Sequence, residues 1–157
     1  MKKIFKFLTK FVSGIAAGAA LVKLVKKDTD DNTKKIMKFK TQFYMVNRWV
    51  SILQDNRNLS EYFEKNKYGK VAVYGLGTLG ENLANDLKDK VVFAIDEKAA
   101  GRDQSRFPVY SMDDVINEEP DVVVVTPVFA FQDIQPGCEA KFGCPVISLE
   151  DVIDEIL

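Results

Sequence analysis

The chain has no histidine and only two cysteines and five prolines in 157 residues. Without histidine, imidazole acid–base catalysis is excluded, and a zinc site would need thiolates and carboxylates alone. Cys138 and Cys144, with five residues between them, form neither a disulfide framework nor a Cys-x-x-Cys redox pair. The expectation is two buried, reduced thiols in a cytoplasmic protein, and no metal. Long apolar runs are missing too. A membrane-spanning helix needs about 20 apolar residues, whereas the uncharged stretch at 11–22 has 12.

Net charge is almost absent, at −1, but it is unevenly spread. Residues 1–27 hold seven lysines and no acid, so they carry +7 and the remainder −8. A basic arm on an acidic body suggests that the arm has its own partner, such as an anionic membrane surface. Nucleic acid is not expected as a partner, because the body would repel it.

Three parts are expected: 1–27, a helical region at 33–67, and an α/β domain at 68–157. A polar stretch, Asp28-Thr29-Asp30-Asp31-Asn32, separates the first two. In the first part Ile4, Phe7, Leu8, Phe11, Val12, Ile15, Ala19 and Val22 recur at helical spacing, with Lys3, Lys6, Lys10 and Ser13 on the other side. That is a basic amphipathic helix. Four readings of it stay open. It lies in a membrane interface at the inner face, or it spans with its lysines snorkelling. It opens a signal peptide cleaved near Ala17-Gly18-Ala19, or it packs on protein, using Gly14 and Gly18 for close approach.

In the second part Ile36, Phe39, Phe43, Val46, Val50 and Leu53 follow a 3, 4, 3, 4, 3 spacing, a short heptad seam. Met45, Trp49 and Ile52 widen the apolar face. Packing on the α/β domain and self-association into a homo-oligomer through 36–53 both fit. Asn58 is expected to cap a short helix from Leu59 to about Asn66.

The third part alternates strand and helix. Lys70-Val71-Ala72-Val73-Tyr74, Val91-Val92-Phe93-Ala94-Ile95 and Asp121-Val122-Val123-Val124-Val125 read as strands, continuous in apolar residues as a buried parallel sheet requires. Pro108-Val109-Tyr110-Ser111-Met112-Asp113-Asp114-Val115-Ile116 is repeated in Pro145-Val146-Ile147-Ser148-Leu149-Glu150-Asp151-Val152-Ile153. Each copy reads as a short edge strand, a serine with an acid three residues on as a capping box, and a helix start. Five parallel strands with right-handed crossovers predict a Rossmann-like α/β sheet in the order 3-2-1-4-5, with helices on both faces.

Between the first strand and its helix stands Gly75-Leu76-Gly77-Thr78-Leu79-Gly80. In such a loop the first glycine makes the turn off the strand. The second leaves room for a pyrophosphate, and the third lets helix and sheet approach. Amides at the helix start, aided by its dipole, face the anion. Gly75, Gly77, Thr78, Leu79 and Gly80 are therefore the candidate phosphate-binding residues. Asp96, at the end of the second strand, is the candidate ribose ligand. Lys98 and Arg102 stand close by in sequence. Thr126 ends the central strand at the same edge and is a candidate ligand contact. Phe129 and Phe131 either wall the pocket or belong to the core. No catalytic residue is assigned.

Val71-Ala72-Val73-Tyr74-Gly75-Leu76-Gly77-Thr78-Leu79-Gly80 resembles the opening of NAD(P)-binding Rossmann domains. With Ile95-Asp96, residues 121–127 and Cys144-Pro145-Val146-Ile147-Ser148-Leu149-Glu150-Asp151, the chain resembles small standalone domains encoded near bacterial surface-polysaccharide genes. Those domains are similar to the nucleotide-sugar-binding modules of sugar acyltransferases and to the cofactor half of sugar dehydrogenases. The resemblance covers about residues 59–157. It implies the fold, and NAD or a nucleotide-sugar as ligand. It departs from the enzymes in having no Tyr-x-x-x-Lys pair, no second catalytic domain, no β-helix and no catalytic histidine. The expected function is thus a nucleotide-binding module, non-catalytic or partner-dependent. The alternative is a membrane-associated or self-assembling scaffold with an empty Rossmann-like domain.

Overall fold

The computed structural model describes residues 2–98 and 106–157, with side chains from Lys26 onward. Arg102 and the side chains of residues 1–25, most of the basic arm, lie outside the described residues. Two units are distinguished, Met1–Lys40 and Thr41–Leu157.

The first unit is helix from Lys2 onward, part of α1 (Lys2–Gln54). The polar stretch at 28–32, read from the sequence as a separator, does not interrupt α1. It contains neither glycine nor proline, and Asp, Thr and Asn each cost a helix only about 0.7 kcal/mol or less relative to alanine. Lys26 and Lys27 precede the acids by four residues and Lys34 and Lys35 follow at the same spacing, the separation at which opposite charges support a helix. The Thr33 hydroxyl donates back to the Thr29 carbonyl at 2.9 Å. Among the described residues, no helix is long and apolar enough to cross a membrane.

In the second unit, α2 (Ser60–Lys65) follows α1. Asn58 stands before it as expected, its Oδ1 accepting the Ser60 amide at 3.0 Å, while Glu61 Oε1 accepts the Asn58 amide at 3.1 Å. The sheet then forms from β1 (Val71–Tyr74), β2 (Val91–Ile95), β3 (Val109–Tyr110), β4 (Val122–Val125) and β5 (Val146–Ser148). All pairings are parallel, and the order is β3-β2-β1-β4-β5, as the sequence pattern predicts. The two edge strands are short and each follows a proline. The carbonyls of Pro108 and Pro145 still accept from Ala94 and Val123 at 3.0 Å. Interleaved are α3 (Thr78–Leu87), α4 (Phe131–Phe142) and α5 (Leu149–Ile156).

Successive strand residues point to opposite faces, and each face has its own core. Val71, Val73, Val122 and Val124 share one apolar cluster with α3 and α5, and with Phe63 of α2. Ala72, Phe93, Val123 and Val125 meet Cys138 of α4 on the other face. The first cluster also takes in Met45, Trp49 and Ile52 of α1. The two stripes of α1 therefore part company. The flanking stripe packs on the domain, while in the heptad seam Ile36, Phe39 and Phe43 stay 66%, 71% and 65% exposed.

The repeated segments differ as well. After β5, Ser148 Oγ accepts the Glu150 amide at 3.2 Å and α5 begins. After β3 no helix forms. Pro120 disfavours helical geometry at Glu119, the residue before it, and Val115 is left 85% exposed. The serine-and-acid pair forms even so, Asp114 Oδ2 accepting the Ser111 amide at 2.7 Å and Ser111 Oγ the Asp113 amide at 3.3 Å, and Glu97 adds to this turn by accepting the Ser111 hydroxyl at 3.0 Å and the Met112 amide at 2.8 Å.

Candidate functional site

The strand order reverses between β1 and β4, and it is outside the carboxyl edge at such a reversal that folds of this kind place ligands. The glycine loop leaves β1 at this point. Its three glycines do different work. Gly75 has φ +91°, which a side chain resists, and a Cβ there would sit 2.8 Å from Pro127 Cδ and 2.9 Å from Thr126 Oγ1. A Cβ on Gly80 would come to 1.9 Å from the Gly75 carbonyl oxygen. The close approach of α3 to β1 thus demands glycine at both ends of the loop. Gly77 is exposed, has ordinary extended backbone (φ −76°, ψ −172°), and a Cβ there would meet nothing within 4 Å.

Next to Gly77, α3 begins without a side-chain cap. Glu81 is the first helix amide to find a backbone acceptor, the Gly77 carbonyl at 2.9 Å. The amides of Thr78, Leu79 and Gly80 donate to nothing among the described residues. They form the positive end of a ten-residue helix, with Glu81 the acid in its first turn. Thr78 is exposed; Leu79 is buried and anchors the turn.

Asp96 and Thr126 stand at the ends of β2 and β4, and both are turned toward the chain itself. Asp96 Oδ2 accepts the Leu76 amide at 2.7 Å, and Oδ1 accepts the Lys98 amide at 2.9 Å. The carboxylate therefore shapes the loop. Thr126 is buried, and its hydroxyl donates to the Gly75 carbonyl at 2.8 Å, with the Tyr74 carbonyl at 3.2 Å. Phe129 is exposed, and Phe131 packs against the cluster beneath α4.

Sequence reasoning missed Arg106 and Phe107. They line a hollow of about 180 Å³ beside the loop, together with Leu76, Glu81, Ala84 and Asn85. The guanidinium donates to Asn85 Oδ1 and the Ala84 carbonyl, so a cation is fixed against α3 near the loop. The sequence signal was faint: one arginine ahead of a short strand, with no motif around it.

Neither cysteine is an activated nucleophile. Burial beneath α4 pushes the Cys138 thiol up to about 11, and burial also raises Cys144. Cys138 is fully buried and Cys144 half-buried. At pH 8 an aromatic disulfide reagent is therefore expected to label Cys144 slowly and Cys138 only after denaturation, as counted by absorbance with and without urea. Among the described residues, no cluster of acids and cysteines is placed to hold a metal ion.

The family model described as CoA binding domain matches residues 66–154. No curated protein and no solved structure matches the chain.

Proposed function

The chain belongs to the CoA binding domain family through residues 66–154, and from that premise we propose that it binds the diphosphate of a CoA-type nucleotide on the loop at 75–80. The observation that carries this reading is Gly77. Gly75 and Gly80 are dictated by the packing of the chain. Nothing in the chain requires the absence of a side chain at 77, where the backbone is ordinary and the space open. A group from outside does require it if phosphate oxygens are to reach the amides of Thr78, Leu79 and Gly80. Arg106 supplies a cation at the second half of α3, in a hollow that Leu76 of the loop also lines, and Asp96 and Thr126 keep the loop in shape. The module binds and presents its nucleotide, and any reaction belongs to a partner.

A second ligand reading rests on the place of Asp96 at the end of β2, where an acid suits the ribose of NAD or of a nucleotide-sugar. A surface-polysaccharide setting goes with the nucleotide-sugar form of this reading. Against it, both Asp96 oxygens already accept amide protons.

Isothermal titration of the full chain with CoA, NAD and a UDP-sugar distinguishes the readings. Heat is expected with CoA. Gly77→Val removes it, weakening binding by about 100-fold through loss of charge-assisted bonds, while the thermal midpoint stays put. Absence of heat with all three nucleotides would sink the reading.

A further inference from the structure

The unbroken run of α1 through 28–32 joins two patterns that the sequence alone left separate. Counted back by sevens from Ile36, the seam reaches Thr29, Val22, Ile15 and Leu8. Counted back from Phe39 it reaches Asn32, Val25, Gly18, Phe11 and Ile4. One register thus runs the whole length of α1, with a single polar step at Thr29 and Asn32. Its length exceeds the three to four heptads that argue for a coiled coil. At its described apolar positions, from Ile36 to Leu53, the seam is exposed. The domain has taken the neighbouring stripe of Met45, Trp49 and Ile52 and left this one uncovered.

We propose that α1 pairs with α1 of a second copy, antiparallel, with Thr29 of each copy level with Asn32 of the other. In this register the polar steps meet each other. Phe39 falls level with position 22 of the second copy, and Phe43 falls level with Gly18, a large residue opposite a small one. Two further observations fix the orientation.

The first is charge beside the seam, which sets partner and direction in coiled coils. Asp28 and Lys35 flank it at equivalent positions. In the antiparallel pair each Asp28 stands beside Lys35 of the other copy, twice by symmetry. A parallel, in-register pair would instead set Lys35 beside Lys40, also twice.

The second is charge and shape over the whole length. Residues 1–40 carry eleven lysines and three aspartates, net +8, so residues 41–157 carry −9. Antiparallel pairing lays each basic arm along the acidic unit of the other copy. A groove of about 310 Å³ waits there, lined by Val46, Trp49, Val50, Leu53, Asn85 and Asp86. Its occupant in this register is the stretch at 8–15 of the second copy. The pairing does not rest on nucleotide binding.

Sedimentation equilibrium of the full chain tests it. The expected mass is twice 17.7 kDa. Phe43→Asp, at an exposed position that leaves the circular dichroism unchanged, gives the single-chain mass. Lys35→Glu weakens association roughly tenfold, as two exposed attractive pairs turn repulsive, and adding Asp28→Lys restores it. A single-chain mass for the wild type overturns the proposal, as does tighter association of Lys35→Glu, which a parallel pair would show. So does a wild-type chain that stays monomeric and floats with phosphatidylglycerol vesicles, for then the basic arm has a lipid partner.

Discussion

Replacing Gly80 by alanine lowers the thermal midpoint by roughly 10 °C or prevents folding, whereas alanine at Gly77 leaves the midpoint within a degree or two. The contrast is large because both are glycines of one loop, three positions apart. An added methyl at 80 lands 1.9 Å from the Gly75 oxygen and 3.0 Å from its carbonyl carbon. Neither atom can swing aside, since Gly75 donates its own amide to the Ile95 carbonyl at 2.8 Å and its oxygen accepts from Thr126. The remaining response is for α3 to lift from β1, which uncovers Leu79 and Leu83, both buried. Forcing atoms into a packed interior costs about 1–3 kcal/mol and occasionally more, and lifting a helix puts this site at the upper end. Scanning calorimetry of the two variants settles the point. Equal midpoints would mean that the loop is slack and its glycines are not structural.

Trp49→Ala is expected to cost about 3–5 kcal/mol, as truncation of a large buried aromatic does. Trp49 lies before the family match begins at residue 66, yet it is 5% exposed and belongs to the main core cluster. Its indole Nε1 donates to Asp86 on α3 at 3.1 Å. The variant opens a cavity and leaves a half-buried carboxylate without its donor. In urea the midpoint should fall while the slope stays unchanged, the mark of altered stability at constant surface exposure. A midpoint equal to wild type would show that α1 merely rests on the domain. With the expected loss, the folding unit starts before residue 66 and takes in the end of α1 and all of α2.

The sheet was readable because β-branched runs bounded by Gly, Asp and Pro have few other fates. The run from Val91 to Ile95 became β2 residue for residue. Pro136-Gly137 hid α4, because both residues argue against a helix interior. The helix nevertheless continues past them, to Gly143 at φ +63°. On α1 two apolar stripes ran side by side, and period alone does not say which one a domain will cover. The site was half legible. Spacing revealed the turn at Gly75 and the close approach at Gly80, since those roles follow from backbone geometry. The hydrogen bonds of Asp96 and Thr126 depend on which carbonyls and amides the fold brings near a short side chain. Arg106 reaches α3 only across the fold. Neither distance is written in local sequence.

The sheet margins have one last consequence. β3 has two residues and β5 three, each fronted by a proline that offers no amide. Such truncated borders give an incoming backbone almost nothing to zip onto, so ribbon-like stacking of copies is disfavoured. Other protein chains are therefore met through side chains rather than through the sheet's borders, and crowding in a cell should not turn its most oily layer into a template for fibres.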